Sequence, residues 1–262
     1  MRMSNLVVLA LVPVLAPVLV MVMEPVAGRG VVVPAPASAQ PGATLPDGFE
    51  VLEAAVEAIG GASAYGQFRS ERLSGRVEIP SLGAKGRVVL RREAATKTRL
   101  DIELEGLGTI AQGTNGETAW RAMLGMGVEK LEGEEARRML SEASYDAAVE
   151  PRKTYASATT TGKEMFEGVE CYRVELVTSW GDHQVGVFEV ETGLHRKLST
   201  REGPGSAVFS AETVYGEYRR VQGIKRPHRL EVTAMGLAQV MVFEEIEFGV
   251  KFERGTFDPP AE

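Results

Sequence analysis

The sequence predicts a mainly β (α+β) fold: a single curved antiparallel sheet of about 11–12 strands forming an incomplete barrel, with helices covering the concave face. Three observations predict it. From Ser70 onward, apolar and polar residues alternate with the period of two that marks half-buried strands. The breaks between these runs are short and rich in Gly, Asn, Asp and Pro, which suits antiparallel neighbours, because parallel pairing needs longer crossovers. Helical periodicity appears in two places only, before the first strand and in one central insertion.

Residues 1–39 read as a signal peptide. Arg2 supplies a positive start, Leu6 to Met23 is an apolar run, and Ala37-Ser38-Ala39 fits the small-residue pocket of a signal peptidase, so cleavage is expected after Ala39. An uncleaved membrane anchor is the alternative, since the run is about long enough to span a bilayer, but Pro13 and Pro17 interrupt it. No cysteine lies near the cleavage point to carry a lipid. Residues 40–48 read as a flexible leader and 49–262 as one domain, a length that can bury its own core. Cys171 is the single cysteine, so no internal disulfide braces the fold. The formal net charge of −7 argues against nucleic acid as a partner, which would call for a basic face.

The first helix is announced by Asp47 with Glu50 three residues on, a capping box, followed by Phe49, Leu52, Val56 and Ile59 on one face. Gly60-Gly61 ends it. Leu73, Gly75, Val77 and Ile79 alternate with Arg72, Ser74, Arg76 and Glu78; Val88 and Leu90 alternate with Arg87, Val89 and Arg91; Leu100, Ile102 and Leu104 alternate with Asp101, Glu103 and Glu105. Asn115-Gly116, flanked by 109–112 and 118–123, is a strong hairpin signal and completes a meander of about five strands. Between about Val128 and Ala148 the period returns to helical, with Leu131, Ala136, Met139, Leu140 and Ala143 on one side and Glu134, Glu135, Arg137, Arg138 and Glu142 on the other. Strands then resume at 155–164, 170–178, 184–189, 194–201, 207–219, 226–234 and 239–248.

Motifs that would carry catalysis are weak. His183, His195 and His228 lack metal-ligand spacing, Ser206 sits in a Gly-Pro-Gly turn, and Gly106-Leu107-Gly108 leads into a strand rather than a helix N-terminus. Cys171, inside a strand, reads as a small buried residue. No metal, cofactor or enzymatic role is expected. The apolar material around Trp120, Met123, Met139 and Leu140 fits either a filled core or a wall adaptable to a ligand.

Several short segments resemble one family in their order along the chain. They are Ala58-Ile59-Gly60-Gly61, the hairpin Gly113 to Trp120, Thr161-Gly162-Lys163 with Gly168 to Tyr172, Glu191-Thr192-Gly193-Leu194, Tyr218 to Pro227, and the terminal Phe257-Asp258-Pro259-Pro260. The chain in this respect looks like the outer-membrane lipoprotein-sorting proteins, the LolA/LolB-like periplasmic carriers and their relatives. The resemblance implies a half-barrel whose apolar concavity holds the acyl chains of a lipid or acylated protein beneath a helical lid. It also implies a lid-pinning arginine, with Arg76, Arg87, Arg91 and Arg99 as candidates.

The expectation is therefore a non-catalytic, periplasmic, monomeric carrier. Its ligand would lie against Leu90, Ile102, Leu104, Trp120, Met123, Met139 and Leu140, and a membrane-bound partner is allowed for. An envelope sensor or protein-interaction module built on the same half-barrel is the alternative.

Overall fold

The computed structural model describes residues 44–201, 209–234 and 236–260. The expected signal peptide, the first part of the leader (40–43) and the turn holding Ser206 lie outside the described residues. Two short helices open the described chain: α1 (Gly48–Ala58) and α2 (Gly61–Tyr65). The capping box is present, since Asp47 Oδ1 accepts from the Phe49 amide at 2.9 Å and Glu50 Oε2 accepts from the Asp47 amide at 3.0 Å. Gly60 adopts φ 122°, and an added Cβ there would meet the Gly223 carbonyl at 2.9 Å, so this stop doubles as a close approach to the sheet.

Six strands follow: β1 (Ser70–Ile79), β2 (Ala84–Glu93), β3 (Lys97–Leu104), β4 (Gly108–Asn115), β5 (Ala119–Met123) and β6 (Gly127–Lys130). The sixth replaces the start of the expected helical insertion. Gly125 and Gly127, both at positive φ, turn the chain sharply and lay Gly127–Lys130 back on β5, so helix begins only at α3 (Gly133–Glu142). A 3₁₀ turn at Tyr145–Ala148 and α4 (Pro151–Thr154) complete the insertion. Seven strands then run to the end: β7 (Tyr155–Phe166), β8 (Val169–Thr178), β9 (His183–Glu189), β10 (His195–Arg201), β11 (Phe209–Val221), β12 (Ile224–Ala234) and β13 (Leu237–Phe248).

All thirteen form one antiparallel sheet in the order β6-β5-β4-β3-β2-β1-β13-β12-β11-β10-β9-β8-β7, with β6 and β7 as unpaired edges. The first meander grows outward from β1, the second grows inward from β7, and β1 pairs with β13 where they meet. The helical insertion must therefore travel from one edge of the sheet to the other, which takes it across the open side.

How far the sheet rolls can be judged from α3. Glu135 binds Arg121 of β5 at 2.7 Å, and Arg138 binds Asp182 in the β8–β9 turn at 2.7 Å. These helix residues lie about one turn apart, roughly 5 Å along the axis. In a flat sheet β5 and β9 would stand about 40 Å apart at ~4.8 Å per strand. The sheet is thus curled into an almost closed barrel, as large twisted sheets tend to be.

The concave face is apolar. Val77, Ile79, Val88, Leu90, Leu100, Ile102, Leu104, Ile110, Val232, Met241 and Phe243 are buried in one cluster with Val56 and Tyr65 from the helices. A second cluster joins Val51 and Leu52 of α1 to Ala158, Val174, Leu176 and Phe188. Gly48 lets α1 lie directly on β7, since a Cβ there would sit 2.4 Å from the Ala158 carbonyl carbon. Among the described residues no helix is long and apolar enough to cross a membrane.

Candidate functional site: a lidded cavity with a charged wall

Between the helices and the sheet lies a cavity of about 260 Å³. Its floor is made by Leu73 of β1, Leu90 of β2, Leu100 of β3, Leu230 of β12 and Phe243 of β13; Leu52, Ala55, Val56 and Ile59 of α1 and Met139 and Ala143 of the insertion form its roof. The volume falls just below the range of about 300–1,000 Å³ usual for ligand pockets.

The expected site residues divide by location. Leu90 and Met139 line the cavity. Ile102 and Leu104 are buried on the same concave face, packed into the core beyond the cavity, and Met123 packs against that core half-buried. Leu140 is half-buried on α3. Trp120 lies on the other face of the sheet. It registers opposite Gly113, which registers opposite Arg99, and directly paired residues share a face. Arg99 also bonds Asp101 two residues on and lies 5.4 Å over the Trp120 ring, so all three point away from the cavity. There the terminal segment covers Trp120, whose Nε1 donates to the Phe257 carbonyl at 2.9 Å.

The arginine that bonds the helical insertion from the dry face of the sheet is Arg92, outside the four candidates. Its Nη2 donates to the Ser144 carbonyl of the insertion at 2.7 Å, and the Tyr145 amide donates to the Ala95 carbonyl beside it at 2.8 Å. Arg76 and Arg91 are paired on the convex side with Glu244 and Asp101, Arg99 is held by Asp101, and Arg87 is exposed there. The alternation already read in β2 identifies the right residue when carried one step further: Val88, Leu90, Arg92. Carried one step back in β1, it likewise puts Glu71 on the dry face with Leu73.

Glu71 and Arg92 register directly opposite each other, and Arg226 comes from β12. Glu71 Oε1 accepts from Arg92 Nη1 at 3.0 Å and from Arg226 Nη2 at 3.1 Å. The side-chain exposures are 0% for Glu71, 5% for Arg92 and 14% for Arg226, so this is a buried triad of one carboxylate and two guanidiniums. Tyr65 and Tyr145 flank it with ring centroids 5.2 Å apart, and Arg92 lies 5.5 Å over the Tyr145 ring. Arg92 and Arg226 both face the cavity.

In two further ionisable groups of the wall burial disfavours the charged form. His195 stacks between Phe188 and Tyr215, at centroid distances of 4.4 and 4.7 Å, and its Nε2 lies 2.9 Å from the Lys197 carbonyl. Burial lowers its pKa to about 4, leaving it an uncharged aromatic plate that donates through Nε2. Glu142, expected on the polar side of its helix, is instead buried against the cavity. Burial holds its carboxyl well above the usual range, reinforced by the nearby Asp182 charge and opposed by Arg138.

The sign of the resulting pH effect follows from linkage. As pH rises past the ordinary carboxylate pKa, the unfolded chain releases the Glu142 proton while the folded chain keeps it, so this group destabilises the fold increasingly with pH. Glu142→Gln is expected to gain stability over the parent as pH rises above about 4.5, by at most about 1.4 kcal/mol per pH unit. Urea denaturation of both proteins at pH 5 and pH 8 measures this; an equal difference at the two values would contradict it.

A helix-lidded, nearly closed antiparallel half-barrel around an apolar cavity is the class that these features define. No protein-family profile matches the sequence, and a search of curated proteins finds no match. Solved structures do match. A DUF1329 family protein from Desulfovibrio piger superposes with TM-score 0.55 at 11% identity, covering 82% of this chain and 98% of that one. A LolA superfamily protein from Nitrosomonas europaea gives 0.53 at 14% identity, covering 81% and 98%. A domain described as outer membrane lipoprotein-sorting, from Vibrio parahaemolyticus, gives 0.50 at 12% identity, covering 80% and 96%. This chain has the LolA-like fold.

Proposed function

We propose that the protein is an exported, non-catalytic carrier that binds the acyl chain of a lipid or acylated protein in the periplasm. The observation that carries this reading is the largely apolar cavity between the concave sheet and helices α1 and α3. Burial of hydrocarbon is the driving force. At about 0.8 kcal/mol per CH₂, a ten-carbon stretch contributes about 8 kcal/mol before the costs of association and of lifting the roof. The roof is fastened modestly, by the Arg92 bond to Ser144 and by ion pairs from Arg121 and Arg138 that reach solvent. Burial raises the pKa of the Cys171 thiol, so it is not a ready nucleophile.

Native mass spectrometry of protein purified from its own envelope should show bound lipid, and a fluorescent acyl probe should be taken up by the stripped protein. Absence of both would sink the carrier reading.

A second reading, a protein-interaction module, draws on Leu82, Leu107 and Met126. These exposed apolar side chains stand at the β1–β2, β3–β4 and β5–β6 turns, all on one rim of the sheet. Affinity capture from envelope extracts that returned a protein partner, lost on changing all three to serine, would favour it.

A further inference from the structure

The charged wall of the cavity has an uneven composition. One carboxylate, Glu71, faces two guanidiniums, Arg92 and Arg226, and both arginines line the cavity. The pairing is also incomplete. Both arginine bonds converge on Glu71 Oε1, while Glu71 Oε2, the Nε of Arg92 and the Nε of Arg226 have no partner. The hydroxyls of Tyr65 and Tyr145, buried beside the triad, have none either. Asp146 is engaged elsewhere, 3.6 Å from Arg69. Lys225 adds another cationic side chain to the lining.

A buried guanidinium lacking a full counter-charge favours whatever anion can reach it. A planar fork of N–H donors matches the oxygens of a carboxylate or phosphate. Away from this wall the lining is mostly apolar, with Leu52, Ala55, Phe188 and Leu198, interrupted by Thr98, Gln112, Thr154 and the buried Glu142. A cavity of about 260 Å³ suits a single chain better than a two-chain lipid.

We infer that the Arg92–Arg226 wall is the head-group site for a single-chain acyl anion, its oxyanion bound by the two guanidiniums and its hydrocarbon laid along the apolar lining. This rests on the carrier reading and narrows it. The anion shares Arg226 with Glu71, so loading draws Arg226 partly away from the triad. Arg92 connects the site to the roof through its bond to Ser144.

The test compares three ligands of the same chain length on delipidated full-length protein: palmitate, 1-palmitoyl-lysophosphatidic acid and methyl palmitate. Native mass spectrometry titration reads each affinity. At least one of the two anions should bind about tenfold or more tightly than the ester, as loss of a charge-assisted hydrogen bond implies, and which anion prevails identifies the head group. Arg226→Met should erase the preference of anion over ester, and Arg226→Lys should restore part of it. If the ester binds as tightly as both anions, the head-group assignment falls and the carrier reading stands. If no ligand binds, both fall. Should Arg226→Met fail to fold, the comparison of ligands on the parent protein still decides.

Discussion

Glutamine in place of Glu71 is expected to lower the unfolding free energy by about 3–5 kcal/mol, the cost of breaking a buried ion pair by removing one partner. The side chain is fully buried and nearly isosteric with its replacement, so shape is preserved and only charge is lost. What remains is two guanidiniums, 5% and 14% exposed, facing each other without the carboxylate between them. Arg92→Met should cost less, because Arg226 still neutralises Glu71. A urea midpoint that falls with an unchanged m-value measures the effect. A loss below about 1 kcal/mol, the value of an exposed pair, would mean that solvent reaches the triad.

Trp120→Ala is expected to be comparably damaging, about 3–5 kcal/mol, as for other large core aromatics cut to alanine. Trp120 is fully buried, its indole N–H is bonded to the Phe257 carbonyl, and Arg99 covers its face. The terminal segment is fastened alongside by Asn115 to Asp258 at 2.8 Å and by Arg99 to the Thr256 carbonyl at 3.0 Å. The substitution should therefore also loosen residues 252–260, visible as faster amide exchange there. Acyl uptake by the protein that remains folded should be unchanged, because Trp120 stands on the far side of the sheet from the cavity. A selective loss of uptake at full stability would contradict that placement.

The half-barrel was readable from the sequence because alternation and turn residues are local. The Asp47/Glu50 capping box and the Asn115-Gly116 hairpin both hold in the structure, where the Asn115 side chain accepts from the amides of Glu117 and Thr118. The strand Gly127–Lys130 escaped notice because four residues between glycines carry too little pattern to distinguish from a helix start. The charged wall escaped for a different reason. Charged residues at strand ends read as solvent-facing by type, although strict alternation places Glu71 and Arg92 inward; the β1–β2 hairpin sets these two opposite each other, and Arg226 arrives only through the fold, from β12 far along the chain. The face that Trp120 occupies is not legible locally either. Its strand, Ala119 to Met123, lacks clean alternation, and the cover on its outer side arrives from residues more than a hundred positions later.

The route of the insertion across the open side couples the roof to both edges of the sheet. Residues 131–154 are covalently continuous with edge strand β6 at one end and edge strand β7 at the other, and α3 is clipped to both flanks by Arg121–Glu135 and Arg138–Asp182. The roof therefore ties the two edges of the sheet together like the strap of a clasp. Each clip is a partly exposed ion pair of small strength, weakened further by salt. Added salt should accordingly weaken both clips while leaving the apolar contacts beneath the roof in place.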